Sequence, residues 1–491
     1  MPSPIAIFRC DASPLIGAGH VSRCLALAEA LHEFGWDISF VVSSKTRETA
    51  PALAASGFNI HALANGECEL QTVRAVAPGG AVLVVVDQYE RDQSFERSCR
   101  SFASKILAFD DTSRRHHDCD VLLDSGAAEP AVYVDRVPSH AAVLTGSAYA
   151  LMRRSFIERR EAALARRDGR PVKSILVSCG ATDPMNCTVP VLKALAGIVH
   201  DATITVVLSS RAPHLDSVRR HLHRNMQLRL DANNIAELMT DADLAVGAPG
   251  ATAFERAVLG LPSIMVAFAD NQRGVARMMS DAGAVIDAGT LDSGLVERLR
   301  RLLKRALEDG ELRRRMAKTA TALIDGRGAL RTMLALHSER NVQGTVVTLR
   351  LATAEDEAWL LWLQSQPHTR RHFYNPAIPT APEHHAWMQR TLSDPSKMLL
   401  VVDVNHHAAG MVRLDHLVAA DRKRAFEISI AVDPTRHGYG IGSAALRLVR
   451  QLMPNAVLDA AVHVQNAASK ALFRAAGFAE LSDELYRCVP S

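Results

Sequence analysis

The sequence predicts an α/β protein: two doubly wound parallel-sheet halves facing one another across a cleft, followed by a smaller α+β domain. Three observations predict it. Short apolar runs alternate with helix-like stretches up to about residue 330. Most of those runs are continuous Val/Ile/Leu segments, the pattern of strands buried on both faces of a parallel sheet. The pattern then restarts near Val346, and 491 residues suffice for about three domains of roughly 100–200 residues each.

Nine runs read as strands of the first two units: Ile5–Phe8, Ile38–Val42, Val82–Val86, Ile106–Phe109, Val121–Leu123, Ile175–Val177, Ile204–Leu208, Leu244–Val246 and Ile264–Val266. Amphipathic helices lie between them; Val21–Phe34 carries Val21, Cys24, Leu25, Ala28 and Leu31 on one face. Repeated βα units of this kind build doubly wound sheets. The charged segment Glu158–Arg170 ends in Gly169-Arg170-Pro171, after which a fresh strand begins, so the two halves divide there, as residues 1–165 and 166–330. One long basic helix, Glu297–Arg327, is expected to close the second half, and its arginines read as a solvated face. Residues 331–345 read as a linker and 346–491 as the third domain, where Leu349–Leu351 is a strand and Thr353 the N-cap of the next helix.

Composition narrows the function classes. Apolar residues make up 48% and charged residues 22%, and the net charge is only +3, so neither a nucleic-acid nor a membrane partner is expected. The eight cysteines show no zinc or disulfide spacing, which predicts reduced thiols, no metal and a cytoplasmic protein. Met1–Ser13 has no basic segment followed by a long apolar one, so no signal peptide is expected. No apolar run approaches the ~18 residues of a membrane span.

The first strand runs into Asp11, then Ile16-Gly17-Ala18-Gly19-His20, then a helix. Gly17 and Gly19 let the backbone approach a ligand at a helix N-terminus that favours anions. The same positive helix end disfavours imidazolium, so His20 is expected to stay neutral and serve as a general base. The alternative on residues alone is a solvent-exposed first-turn histidine. The stretch Phe8–Ser13 with Ile16–Leu25 resembles the opening of the UDP-2,4-diacetamido-2,4,6-trideoxy-β-L-altropyranose hydrolases of pseudaminic acid biosynthesis. Further matches follow in that family's order: Asp87-Gln88-Tyr89, Phe109-Asp110-Asp111 with His117–Leu123, Gly146–Arg153, and Gly180-Ala181-Thr182-Asp183. The resemblance covers roughly residues 4–290. It implies that His20 activates water for attack on the anomeric carbon while UDP leaves, and that Arg23, Asp111, Gly180 and Asp183 line the substrate site; Asp11 is the candidate for orienting the ring and Tyr89 for contacting sugar or phosphate. The sequence departs from the family at Glu90, where a glycine is usual, and at Ala181, the second of a Gly-Gly pair.

The second half holds Asn234-Ile235, then Gly247-Ala248-Pro249-Gly250-Ala251-Thr252-Ala253-Phe254-Glu255, then Asp270-Asn271-Gln272. A strand ends at Val246, a turn follows and a helix starts near Thr252, so free N–H groups can hold a pyrophosphate. This segment resembles the UDP-binding half of glycosyltransferases of the two-domain GT-B type. That likeness implies substrate contacts at Ile235, Gly250, Ala251, Thr252, Asn271 and Gln272, and ribose hydroxyls on Glu255. Glu255 can equally be a first-turn acid favoured by the helix dipole. Some hydrolases of the family carry an Asn at the position of Phe254.

In the third domain, strand Glu427–Val432 leads to Arg436-His437-Gly438-Tyr439-Gly440-Ile441-Gly442-Ser443 and a helix, Ala444–Leu452; strand Leu458–Val464 precedes Asn466–Phe478. The Gly-x-Gly-x-Gly turn and the Asn-(x)₂-Ser-(x)₃-Phe-(x)₃-Gly-Phe segment resemble the two signatures of the GNAT superfamily of N-acetyltransferases, over about residues 346–488. The likeness implies acetyl-CoA as co-substrate, held by Val432, His437, Gly438, Tyr439, Gly440, Ile441, Gly442, Ser443, Asn466 and Phe473. Here His437 replaces an Arg or Gln, and Phe473 stands where the tyrosine acid is usual. Glu427 is the candidate for steering water to the amine, or else a strand-edge carboxylate; His384, Trp387 and His463 read as packing residues. The pairing implies a bifunctional nucleotide-sugar enzyme acting on a UDP-linked amino-sugar, acetylating its amine and then hydrolysing the UDP bond. Three alternatives stand: a UDP-sugar glycosyltransferase, an acetyltransferase for a protein or another amino-sugar, and a half that only binds.

Overall fold

The computed structural model describes residues 3–13, 16–64, 68–126, 129–199, 201–372, 375–417 and 424–490. All nine expected runs form strands. In the first half these are β1 (Ile5–Cys10), β2 (Asp37–Ser43), β4 (Ala81–Asp87), β5 (Ala103–Phe109) and β6 (Val121–Asp124), joined by β3 (Asn59–Leu63) and β7 (Ala142–Thr145) in a parallel sheet of order β3-β2-β1-β4-β5-β6-β7. In the second half β8 (Ser174–Ser178), β9 (Thr203–Leu208), β11 (Leu244–Gly247) and β12 (Ser263–Ala267) are joined by β10 (Met226–Leu230) and β13 (Ile286–Thr290), in the order β10-β9-β8-β11-β12-β13. The four strands not expected, β3, β7, β10 and β13, are the edges of the two sheets. Edge strands are half-covered, so they lack the continuous apolar run that marks a central strand; β3 and β10 are mostly exposed.

Both sheets lie within one compact unit, residues 4–32 with 36–330. A contact joins the halves: Arg211 Nη1 meets Glu48 Oε2 at 2.7 Å. The second sheet is covered on one side by a core of Ile175, Val177, Ile204, Leu244 and Ile264 against the helices Thr188–Ala196 and Leu295–Glu308.

The long basic helix is two helices, Leu295–Glu308 and Gly310–Leu323. Asp309 breaks it: its carboxylate caps the second helix by accepting from Leu312 N at 2.8 Å. Nor is the basic face wholly solvated. Arg313 is buried and donates to the Ala306 and Leu307 carbonyls at the end of the first helix, and to Gly169 and Arg170.

The remaining unit comprises residues from Arg331 onward, with two short N-terminal pieces of chain. The stretch expected to be a linker is ordered: helix Gly328–Ala335 runs into it, and β14 (Glu339–Arg340) pairs antiparallel with β15 (Val346–Leu351). Glu339 also accepts from Arg447 Nε at 3.0 Å, so side-chain pairing holds this segment to the domain. The sheet continues through β16 (Lys397–Val404), β17 (His407–Leu417), β18 (Ala425–Val432), β19 (Val457–Ala461), β20 (Ala479–Ser482) and β21 (Leu485–Cys488), in the order β14-β15-β16-β17-β18-β19-β21-β20. Thr353 starts the next helical turn as expected, its N–H and hydroxyl both donating to Asp356. No helix among the described residues is long and apolar enough to cross a membrane.

Two glycines of the second half separate fold from site. A Cβ on Gly247 would lie 2.3 Å from the Ser178 carbonyl oxygen, whereas one on Gly250 meets nothing within 4 Å. Gly247→Ala is expected to cost about 1–3 kcal/mol of stability, the usual toll of overpacking, and Gly250→Ala much less; equilibrium urea unfolding of the two variants measures the difference.

Candidate functional site

In the first half the chain leaves β1, turns through Gly17 with φ +73°, and enters the helix Gly19–Glu33. Gly17 N bonds back to the Ser13 carbonyl at 2.8 Å, closing the turn. Nothing lies within 4 Å of a Cβ placed on Gly17 or Gly19, so the backbone there is open to a ligand. His20, second in the helix, is 7% exposed, which rules out a solvated first-turn histidine. Its Nδ1 lies 2.5 Å from Asp87 Oδ1.

Asp87 ends β4, directly beside Cys10 at the end of β1. Arg23, one helical turn after His20, grips the same carboxylate through Nε and Nη2, each at 2.6 Å. Burial pushes the Asp87 carboxyl up, but the Arg23 guanidinium and the His20 ring outweigh it and hold the group well below the usual carboxylate range. Asp87 is therefore a fixed anion that accepts from Nδ1 and leaves Nε2 as the nitrogen able to take a proton. Tyr89 stands edge-on to the His20 ring, centroids 4.8 Å apart, and donates its hydroxyl to Asp111 Oδ2 at 3.0 Å. Arg23 Nη1 reaches the same Asp111 oxygen at 3.4 Å. Thus His20, Arg23, Tyr89 and Asp111, four of the expected residues, form one cluster, and Asp87 is its centre.

Asp11 does not orient His20. It follows β1 on the side of β2, where its carboxylate accepts from Ser43 N at 2.5 Å, Thr46 Oγ1 at 3.1 Å and Arg9 Nη2 at 2.9 Å, and from the Gln88 amide. With its oxygens taken by the ends of neighbouring strands, it is a structural clamp. The signal for Asp87 was present in the sequence: an acid ending the apolar run Ala81–Val86 at the carboxyl end of a strand.

In the second half, Gly180 follows β8 with φ +104° and open space around it. Asp183 is buried and used internally: its two oxygens accept from Cys187 N and Thr188 N, both at 2.8 Å, capping the helix Thr188–Ala196. Gly250 is the N-cap of the helix Ala251–Val258, so Ala251 and Thr252 present first-turn N–H groups that lack intrahelical partners. Glu255 is 6% exposed, and its Oε1 accepts from Arg153 Nη2 at 3.4 Å. Arg153 belongs to the segment after β7, so the joint between the halves orients the ribose candidate; sequence reasoning assigned it no role. Ile235 opens the helix Ile235–Asp241. Gln272 Oε1 accepts from Phe268 N at 3.1 Å, bracing the turn after β12. The Asn271 side chain lies outside the described residues. Phe254 packs in the core behind the turn.

In the C-terminal unit, β18 pairs with β17 along its whole length but with β19 only at Ala425, Phe426 and Glu427. β18 and β19 are parallel and separate beyond Glu427, which opens a slot between them. Glu427 stands at the fork, between Asp415 and Asp459 in register, and forms no ion pair with a described residue; Asp415 and Asp459 pair with Arg413 and Arg487. The loop after Val432 takes positive φ at Gly438 (+83°) and Gly440 (+74°), which aims successive N–H groups at one point before the helix Ile441–Leu452. His437 Nε2 lies 3.1 Å from the Val432 carbonyl, Tyr439 is exposed and Ser443 is half-buried. Gly442 packs under Leu472. Nothing lies within 4 Å of a Cβ placed on Gly438, so the turn is open to an anionic ligand.

Three expected cofactor contacts are placed differently. The Ile441 side chain is buried and only its backbone faces the turn. Asn466 is spent as the N-cap of Ala467–Ala475, accepting from Ser469 N at 3.0 Å. Phe473 is a core residue against Phe478, centroids 4.9 Å apart. His384 is buried against Trp387 and bonded to the Glu357 carbonyl, a packing residue as expected. Among the described residues no group of His, Cys, Asp and Glu could hold a metal ion.

Comparison with known proteins agrees with this division. Residues 347–479 match the model of the acetyltransferase (GNAT) domain family. The N-terminal part is 26% identical over 265 residues to an uncharacterized protein of Methanocaldococcus jannaschii, an alignment spanning 52% of this chain and 54% of that one, so the chain spans about half the length of that relative. It is 26% identical over 285 residues, 57% of this chain and 98% of the relative, to the UDP-2,4-diacetamido-2,4,6-trideoxy-β-L-altropyranose hydrolase of Campylobacter jejuni. Among solved structures, MurG of Acinetobacter baumannii aligns with 67% of this chain and 98% of its own, at 16% identity and a TM-score of 0.46.

The loop carrying Asp111 is tied down by a buried histidine. His117 Nδ1 lies 2.8 Å from Glu96 Oε1 and Nε2 lies 3.5 Å from Asp110 Oδ2. Burial pulls the His117 ring down, but the Asp110 and Glu96 carboxylates raise it above its ordinary value. A raised folded-state value stabilises fully below the unfolded value of about 6.5 and loses that stabilisation as pH rises through the folded value. The stability advantage of wild type over His117→Gln is therefore expected to be largest below pH ~6 and to shrink toward pH ~9. Chemical unfolding across that range checks it; an advantage independent of pH rules out a charged ring.

Proposed function

We propose that this chain carries out two consecutive steps on one UDP-linked amino-sugar. The C-terminal unit N-acetylates UDP-4-amino-4,6-dideoxy-N-acetyl-β-L-altrosamine with acetyl-CoA. The N-terminal halves then hydrolyse UDP-2,4-diacetamido-2,4,6-trideoxy-β-L-altropyranose to the free sugar and UDP. The observation that carries the reading is the Asp87–His20 pair at an open glycine turn, in a region that aligns with almost the whole of a hydrolase of that second substrate.

The chemistry follows from the residues. With Nδ1–H donated to Asp87, His20 Nε2 takes a proton from water. The water oxygen bonds to the anomeric carbon as the bond from that carbon to the diphosphate oxygen breaks, and the electron pair leaves with UDP. Asp87 holds the ring and steadies the imidazolium that forms, as an orienting carboxylate does in other His-dependent hydrolases. UDP is a good leaving group, so a second carboxylic acid, the partner most glycosidases need, is not required. Tyr89 and Asp111 border the sugar, and Gly250, Ala251, Thr252 and Glu255 hold the nucleotide.

In the C-terminal unit bound acetyl-CoA supplies the acetyl group. The Gly438–Ser443 loop holds its pyrophosphate, the slot between β18 and β19 admits its pantetheine arm, and Glu427 takes the amine proton through water. Phe473 cannot return a proton to sulfur, so that proton comes from another group or from solvent.

Supplying the 4-amino substrate with and without acetyl-CoA, and following free CoA and UDP together, tests the reading. Both products are expected, with UDP appearing only when acetyl-CoA is present; CoA without UDP sinks the hydrolase half. His20→Ala should slow UDP release by about 10²–10⁴-fold, the usual contribution of a general base, and leave CoA release unchanged.

A further inference from the structure

The second half holds a buried charge that the proposed chemistry has not used. Arg256 is 1% exposed and heads the largest fully buried side chains. Its donors meet only neutral acceptors: Nη2 the Ala248 carbonyl at 2.8 Å and Nη1 the Thr252 hydroxyl at 3.3 Å, while Nε is buried without a partner. Both acceptors belong to the turn between β11 and the helix Ala251–Val258. No described carboxylate forms an ion pair with Arg256; the adjacent Glu255 attracts it through space but is turned to Arg153.

Other inward-facing arginines meet carboxylates or the negative ends of helices. Arg9 pairs with Asp11 and Glu69. Arg313 and the half-buried Arg167 donate to carbonyls at the carboxyl ends of helices, Ala306 and Leu307 for one, Met239 and Thr240 for the other, where the helix dipole is negative. Arg256 reaches the opposite end. Its guanidinium lies under the amino-terminal turn of its own helix, where the dipole is positive and adds to its charge. A Cβ on Gly247 would lie 2.8 Å from Nη1, so the charge sits beside the end of β11. That is the crevice between β8 and β11 where the strand order reverses and ligands of such sheets bind. Burial lowers the guanidinium to about 10, which leaves it charged near neutrality.

We propose that Arg256 is the buried anion anchor of this half: its charge, which forms no ion pair with a described residue, is balanced when a nucleoside diphosphate occupies the Gly247–Thr252 turn. The assignment rests on the nucleotide-sugar reading and deepens it. Arg256 is a positioning residue. It acts on the diphosphate through space and by bracing Ala248 and Thr252, and it favours the departing diphosphate as negative charge grows on it.

The test titrates UDP and uridine into full-length wild type, Arg256→Lys and Arg256→Gln, by calorimetry or ligand-observed NMR. The neutral Gln variant should lose at least about tenfold in UDP affinity, the scale of an unbalanced buried charge, with uridine affinity changed less than about twofold. Lys, which keeps the charge, should stay closer to wild type for UDP than Gln does. The rise in melting temperature on adding UDP should shrink in the Gln variant. Equal losses for UDP and uridine would mean a merely structural brace and overturn the assignment, as would UDP affinity unchanged in the Gln variant. Wild type that binds neither ligand removes the nucleotide reading itself, an outcome distinct from any difference between variants.

Discussion

In each α/β half the first strand is flanked by strands whose connections run off in opposite directions: β1 lies between β2 and β4, and β8 between β9 and β11. No crossover helix can cover the carboxyl end of such a strand, so a crevice is left open there. What the rest of the N-terminal unit does depends on that constraint. The His20 helix starts over one crevice and Asp87 rises from the neighbouring strand, so two residues 67 apart in sequence come within hydrogen-bond reach. The Gly250 turn and Arg256 occupy the other. Both clusters stand where the winding of the sheet leaves room for a ligand.

The two crevices are charged differently. In the first, the described charges are paired: Asp87 is met by Arg23 and His20, and the half-buried Asp111 by Tyr89 and Arg23 through one oxygen. Such a network fixes geometry and leaves net negative charge beside the ring, which suits a base that must take up one proton. In the second, a helix N-terminus and a buried guanidinium place positive charge on positive charge. Holding unpaired charge out of water destabilises a fold unless something else compensates it. On the proposed function the two halves share the work accordingly, one holding a base and the other an anion.

The C-terminal unit makes its opening by another route. A mostly antiparallel sheet contains one parallel pair, β18 and β19, and it stays bonded for only three residues before it parts. The fork exposes strand edges that other sheets must cover, and the loop with Gly438 and Gly440 lies at the end of the strand that leaves. Positive φ at both glycines turns the backbone N–H groups inward, which a residue with a Cβ adopts only under strain. Glu427 marks the fork and keeps its carboxylate unpaired among described residues, while its neighbours in register are neutralised by arginines.

The sequence by itself determined the elements whose signals are local. Continuous apolar runs named the nine central strands, because a strand covered on both faces must be apolar throughout. Glycines at strand ends named the turns, because positive φ or close approach excludes other residues there. Only the tertiary structure decided what depends on neighbours far along the chain. Edge strands were invisible because half their surface meets water. Which acid serves His20 was decided by the order of the strands, which puts β4 under the ring and turns Asp11 toward β2. Phe473, Asn466 and Asp183 kept their motif positions, yet packing and helix capping claimed their side chains. Arg256 looked like any helix arginine, since being buried without an ion pair to a described residue is a property of its surroundings and leaves no mark on the residue itself.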